Sequence, residues 1–305
     1  MAEVQQREPE VAAPAGIWSV LATPFDAKGE ADYGALHAEV QWLAELGVRG
    51  VIVNGVTSEA HKLSHEERCL AAETVRAALP DGTGLVIGIL EPSYPLIRSA
   101  ANRAGVLEPD AVMVWPGFSP VVNAKQFEAM QNTAAEASGA PVIMQDAAFF
   151  GPPPLQPEDI AAAIDRNEWV CGVKVEAPRS IERMQAIQQR LERPVMLIGG
   201  QGGRFMPLEY EVGARAFFIG PGFPDLYLSV LRELEANGDL AHSWRRLVPL
   251  LDFMFQSAEF ATACYKRLMV ERGVFINAKP RAPGATLLPI EEKYLLRLGH
   301  ELGLL

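Results

Sequence analysis

Short, almost wholly apolar runs alternate along the chain with longer segments of mixed character. The apolar runs are rich in β-branched residues and read as strands: Ile17–Leu21, Gly50–Val53, Gly84–Ile89, Ala111–Trp115, Pro141–Gln145, Cys171–Val175, Pro194–Ile198 and Ala216–Ile219. The intervening segments repeat apolar residues at helical spacing, as in Asp32–Leu46, Ser64–Ala78, Ala124–Ser138, Pro157–Arg166, Ile181–Leu191 and Asp225–Asn237. Start signals agree with this spacing. Asp32 precedes Tyr33, and Ser64 followed by Glu67 is the pattern of a capping box. Strands apolar on both faces belong to a parallel sheet covered by helices. Eight such strand–helix units predict an α/β protein with a closed (β/α)8 TIM barrel. An open, doubly wound sheet is the alternative, but no Gly-x-Gly-x-x-Gly follows the first strand. Beyond the eighth strand, Ala241 to Leu305 carries the pattern of at least two more helices, a C-terminal helical appendage. The expected organisation is a tail over 1–15, the barrel over 16–236 and a helical region over 237–305.

Composition narrows the class. The chain has 305 residues, 49% hydrophobic and 21% charged, which suits a globular protein with a full core. A net charge of −11 argues against a nucleic-acid surface. Cys69, Cys171 and Cys264 are odd in number and far apart, so neither a disulfide framework nor a metal cluster is expected, and a reducing cytoplasm fits. No apolar run reaches the ~20 residues of a membrane span. Met1 to Gly16 is polar and Ala/Pro/Glu-rich, without the basic start or apolar stretch of a signal peptide, and reads as a flexible tail.

In a barrel of this kind, reactive side chains gather at the C-terminal ends of the strands. There the chain presents Thr23, Asn54 to Glu59, Glu91, Trp115 to Phe118, Gln145 and Asp146, Lys174 and Glu176, Gly199 to Gly203, and Gly220 to Gly222. Lys174 lies in the apolar run Trp169-Val170-Cys171-Gly172-Val173-Lys174-Val175-Glu176. Burial there favours a neutral amine, the nucleophile of Schiff-base chemistry with a ketone. The plainer reading is a strand-end lysine that reaches water or pairs with Glu176, which shares its face two residues on. Asn54-Gly55-Val56-Thr57-Ser58-Glu59 offers successive backbone N–H groups and two hydroxyls. It is either a nest for a carboxylate or a turn that caps the next helix. Gly199-Gly200-Gln201-Gly202-Gly203 lets a ligand approach the backbone, or is a plain flexible loop. Asp146 could carry protons or cap a turn. His61 and His65 stand at i, i+4 without a third ligand type, so no metal site is expected. Trp115 and Phe118 suit a pocket wall. Arg204 and Arg281 could bind anions or simply be solvated.

Taken in order, these segments resemble the dihydrodipicolinate synthase / N-acetylneuraminate lyase superfamily. Ala22-Thr23-Pro24-Phe25 looks like its first-strand motif. Gly55-Val56-Thr57-Ser58-Glu59 aligns with its Gly-Thr-Thr-Gly-Glu carboxylate loop, Pro141 to Asp146 with its fifth strand, and Gly172-Val173-Lys174 with its Schiff-base strand. The resemblance runs from about Gly16 to the C-terminus. It implies a barrel with a C-terminal helical bundle, usually a tetramer, acting on pyruvate or other 2-oxo acids without a metal or organic cofactor. The resemblance makes Lys174 the Schiff-base residue and puts the substrate carboxylate on Thr57 and Ser58, with Gly55, Thr23, Phe118, Gly199 and Gly200 as further candidates to hold the substrate. Glu176, Glu59 and Asp146 are candidate proton carriers, with a water held by Gln145 as the other option.

Departures from the family pattern are as informative. Its usual hydroxyl relay would fall on Val56, Gln145 and Phe118, none of which has a hydroxyl. The arginine expected after strand five is replaced by Phe149-Phe150-Gly151, which argues against dihydrodipicolinate synthesis. Gln145-Asp146-Ala147, Lys174-Val175-Glu176-Ala177-Pro178, the glycine loop and Arg281-Ala282-Pro283 are similar to the L-2-keto-3-deoxyarabonate dehydratase subgroup. The expectation is a Schiff-base lyase acting on a 2-keto-3-deoxy sugar acid, most simply a dehydratase. A pyruvate aldolase of the same superfamily is the near alternative. A retired barrel that binds a small acid, and a phosphate enzyme built on the glycine loop, are the readings from other classes.

Overall fold

The computed structural model describes residues 15–115, 123–147, 155–237 and 242–305. Eight parallel strands close into a barrel, each pairing with the next and the first with the last. They are β1 Gly16–Val20, β2 Gly50–Val53, β3 Gly84–Ile89, β4 Ala111–Val114, β5 Val142–Asp146, β6 Val170–Val175, β7 Met196–Gly199 and β8 Ala216–Ile219. The helices between them are α1 Tyr33–Leu46, α2 His65–Ala78, α3 Tyr94–Gly105, α4 Ala124–Ser138, α5 Pro157–Asp165, α6 Ser180–Gln188 and α7 Met206–Glu211. Helix α8, Pro224–Asn237, follows the last strand, and α9 His242–Met254, α10 Ala258–Glu271 and α11 Pro289–Glu301 complete the described chain.

Local sequence sets these boundaries. Asp32 accepts from the Ala35 N–H, and Ser64 with Glu67 forms the expected capping box. Asn123 with Gln126 forms another at α4. Expected strands that opened on proline start later in the structure: β5 begins at Val142, after Pro141, and β7 at Met196, after Pro194. Proline has no N–H to give to a ladder.

The barrel is filled rather than hollow. Trp18, Val20, Ile52, Val86, Ala111, Met113, Ile143, Cys171, Ile198, Ala216 and Phe218 form its inner core. Trp18 lies across the lower layer, and Gly50 and Gly84 make room for it, since a Cβ at either position would collide with the indole. A larger outer core joins the strands to the helices. The C-terminal helices return to the barrel mouth. Arg272 pairs with Asp225 at 2.8 Å, and Asn277 donates to the carbonyl of Phe25 at 2.9 Å. Arg281 grips both carboxylate oxygens of Glu67, at 2.7 and 2.8 Å, and donates to Gly29 and Lys62 carbonyls. Arg281 is thus a brace between chain segments, neither the anion ligand nor the solvated residue the sequence suggested.

Candidate active site

Strand β6 carries Gly172, Lys174 and Glu176 toward the barrel axis by its two-residue period. Lys174 and Glu176 are both buried, and Nζ of Lys174 stands 2.9 Å from Oε2 of Glu176. Each alternative offered by the sequence holds in part: the amine is buried, and it has a carboxylate partner. Gln145 is opposite Lys174 in the β5–β6 register, and its Nε2 donates to the same Glu176 oxygen at 2.8 Å. The other oxygen accepts the backbone N–H of Gln201 at 2.8 Å. Gln201 holds this position at a φ of 48°, a left-handed conformation that non-glycine residues seldom adopt, and its side chain donates to the Ala177 carbonyl at 3.1 Å. The carboxylate is therefore held by an ammonium, an amide and a main-chain N–H.

This pair opens onto a cavity lined also by Val56, Thr57, Phe218, Gly220, Phe255 and Tyr265, with about 410 Å³ not filled by atoms, part of it open to solvent. The ammonium stands 5.8 Å from the centre of the Phe218 ring. A second cavity of similar size lies between α2 and α3, around an Arg68–Glu91 ion pair of 2.6 Å. It contains no lysine, and Glu91 belongs to it rather than to the mouth occupied by Lys174.

The other expected residues fall into three groups. Thr57 lines the cavity with Lys174. Thr23, Gly55 and Ser58 lie behind it. The Ser58 hydroxyl donates to the Leu21 carbonyl at 2.7 Å and accepts from the Gly55 N–H at 3.2 Å, while Thr23 donates to the Ser58 carbonyl at 2.6 Å. Both hydroxyls fasten the loop to β1 instead of facing a ligand. Glu59 and Asp146 are directed elsewhere. Glu59 pairs with Lys266 and with Lys62, the latter at 3.0 Å, and accepts the Arg281 N–H. Asp146 points away from the axis, one residue out of phase with Gln145, and is paired with Arg183 of α6. Burial raises the Asp146 carboxyl above its ordinary range, with Arg183 opposing. Phe118 lies outside the described residues, as does Phe149-Phe150-Gly151.

The glycine loop has a structural explanation that the sequence did not supply. Glu176 occupies the space a Gly200 side chain would need, and Glu209 of α7 occupies that of Gly199. Gly202 yields to Phe255 and Gly203 to Tyr227, whose hydroxyl donates to the Gly202 carbonyl. The missing side chains admit protein groups.

Three polar residues were not singled out beforehand. Lys266 is completely buried, lies over the Phe25 ring at 4.1 Å and pairs with Glu59; burial lowers its amine to about 8 against the pull of Glu59. Glu209 is completely buried, with Ser180 donating to one oxygen at 3.4 Å and no partner on the other among the described residues. Burial first, and the charge of Glu176 second, push it up to about 8. Tyr265 lines the cavity. For Lys266 a signal existed: Thr262, Tyr265, Lys266 and Met269 recur at helical spacing on the buried face of α10. Nothing local distinguishes Glu209.

The dihydrodipicolinate synthetase family model matches residues 13–302. The chain is 24% identical over 280 residues to a 4-hydroxy-tetrahydrodipicolinate synthase of Staphylococcus haemolyticus, covering 91% of this chain and 92% of the relative. It is also 24% identical over 297 residues to an L-2-keto-3-deoxyarabonate dehydratase of Azospirillum brasilense, covering 94% of each. Among solved structures, dihydrodipicolinate synthase from Rhodopseudomonas palustris superposes with a TM-score of 0.84 at 25% identity, covering 93% of this chain and 96% of the other. N-acetylneuraminate lyase from Proteus mirabilis shares the fold, with a TM-score of 0.85 at 21% identity over 96% of this chain and 99% of its own. A closed barrel of this descent, with a buried amine at its mouth, is a lyase of the aldolase and dehydratase class. The chain belongs to the dihydrodipicolinate synthetase family.

Proposed function

We propose that the protein is a Schiff-base dehydratase acting on a 2-oxo acid of the 2-keto-3-deoxy sugar acid type. The observation that carries this reading is the buried Lys174–Glu176 pair, held by Gln145 and Gln201 and open to a cavity. Glu176 is close enough to take the proton from the Lys174 ammonium, which frees the amine to add to the C2 ketone. Loss of water gives an iminium. Its positive nitrogen draws electrons from the C2–C3 side and makes the C3 protons acidic. Glu176 ferries two protons in turn from the nitrogen to the departing C2 oxygen and, a free carboxylate again once water has left, can accept one from C3. The enamine electrons then expel the C4 hydroxyl, which leaves as water with the proton that Glu176 carries. Hydrolysis of the conjugated iminium frees Lys174. Thr57, in the same wall, is placed for the substrate carboxylate. That Arg183 of α6 is bound to Asp146 argues against its serving a second substrate, in keeping with a one-substrate reaction.

The free thiols of Cys69, Cys171 and Cys264 support a reducing, cytoplasmic setting. No helix among the described residues is long and apolar enough to cross a membrane. Exposed Leu96 and Val106 at α3 are consistent with a homo-oligomer, a dimer or tetramer.

Borohydride added with pyruvate or a 2-keto-3-deoxy sugar acid should fix a reduced adduct on Lys174, read by peptide mass spectrometry. Lys174→Ala should abolish both the adduct and turnover. An adduct on Lys266, or on no lysine, overturns the reading and leaves the acid-binding barrel in its place. Release of water without an aldehyde product, followed by product mass, separates dehydration from aldol cleavage.

A further inference from the structure

The cavity at Lys174 contains a polar group that the chemistry above leaves unused. Tyr265 of α10 forms part of its wall, and its ring lies directly over Gly220, where any Cβ would collide with it. The side chain is 2% exposed; the Gly220 N–H lies near enough to its oxygen to act on the phenol, but the O–H itself has no acceptor among the described residues. Buried hydroxyls are nearly always paired, because an unpaired one loses its hydration without return. Neighbouring Tyr227, equally enclosed, donates to the Gly202 carbonyl. The same region of the fold thus satisfies one tyrosine internally and leaves the O–H of the other, in the cavity wall, without an acceptor among the described residues. In the same wall Val20, Val56 and Phe218 are apolar, and Thr57 is assigned to the substrate carboxylate. One N–H of the Gln145 amide and the Gln201 backbone N–H are spent on Glu176, and Gln145 is not part of the cavity lining.

We propose that Tyr265 is a further catalytic residue, whose hydroxyl donates a hydrogen bond to the C2 oxygen of the 2-oxo acid as Lys174 adds to C2. This rests on the Schiff-base reading and assigns its first step a donor. The new N–C2 bond takes the amine lone pair, and the C=O π pair moves to oxygen. That oxygen accepts the Tyr265 O–H while its charge develops. The proton that Glu176 took from the ammonium then passes to it; a second proton from the nitrogen, carried by the same carboxylate, follows, and the oxygen leaves as water. A donor fixed where charge develops acts as an oxyanion hole does. Burial raises the phenol above its ordinary range, so the group remains a protonated donor throughout and never serves as the base.

The test is the rate at which pyruvate and borohydride trap Lys174 in wild type and in Tyr265→Phe. The variant keeps the ring over Gly220 and removes only the oxygen. Trapping should slow by about 10²–10³-fold, the effect of losing one such donor, while the melting temperature stays level or rises. Trapping at the wild-type rate overturns the proposal alone, with the Schiff-base reading intact. A wild type that yields no Lys174 adduct overturns both. Should the phenylalanine variant melt early, 3-fluorotyrosine placed at position 265 keeps ring and hydroxyl. The trapping rate should then change with phenol acidity, and an unchanged rate overturns the proposal.

Discussion

Two lysines are buried at the same end of this barrel, and only Lys174 faces the cavity. Lys266 is the more enclosed of the two, yet its amine is engaged by Glu59 and the Phe25 ring. Burial of a lysine therefore does not by itself mark a nucleophile; access to a cavity does. Glu176→Gln leaves the Lys174 ammonium without its counter-charge and removes the proton acceptor. Turnover should fall by about 10²–10⁴-fold in steady-state assays while the fold persists. Glu209 gives a pH signature. Its carboxyl titrates near 4.5 when unfolded and is pushed up to about 8 in the fold, so the folded state holds the extra proton between those values. Stability from this group is full below about pH 4.5 and declines as pH rises toward 8. Glu209→Gln, neutral throughout, should match wild type near pH 5 and exceed it above pH 8 by on the order of 2–4 kcal/mol. Urea unfolding at both pH values checks this, and an equal gap at the two would refute it.

At the scale of elements, the two-residue period of a strand explains what could be read from sequence and what could not. Lys174 and Glu176 share a face because they are two apart, and strand register brings Gln145 beside them. Asp146, one residue on, has to point outward, and the same rule could have removed it from the proton carriers. The glycine loop shows the opposite limit. Glycines at 199, 200, 202 and 203 announce that something comes close, but not what. The partners, Glu176, Glu209, Phe255 and Tyr227, are distant in sequence. Gly200→Ala should displace Glu176 and cost activity out of proportion to stability. Gly202→Ala, at a φ of 62° and against Phe255, should lower stability by roughly 1–3 kcal/mol, seen as an earlier thermal midpoint.

For the whole molecule, the eight-strand barrel was legible because every strand is apolar on both faces, and only a sheet covered on each side accommodates that pattern. The return of the C-terminal helices over the mouth was not. It depends on long-range pairs such as Lys266 with Glu59 and Arg281 with Glu67, which leave no local periodicity. These pairs tie α10 and the segment after it to the loop that carries Thr57. Lys266→Met leaves Glu59 with Lys62 and the Arg281 N–H, and its other oxygen without the Lys266 ammonium. It should destabilise the protein by about 3–5 kcal/mol in chemical denaturation and raise KM for the 2-oxo acid through the loosened loop. An unchanged KM would show that the brace and the loop move independently.

Trp18 has a consequence for traffic. Its indole, seated over Gly50 and Gly84, fills the barrel beneath Phe218, which with Val20 lines the chamber at Lys174. Among the described residues the barrel interior below Lys174 is filled, so reactant and product share the mouth side of the cavity and cannot occupy it together. Excess product should therefore inhibit by simple competition.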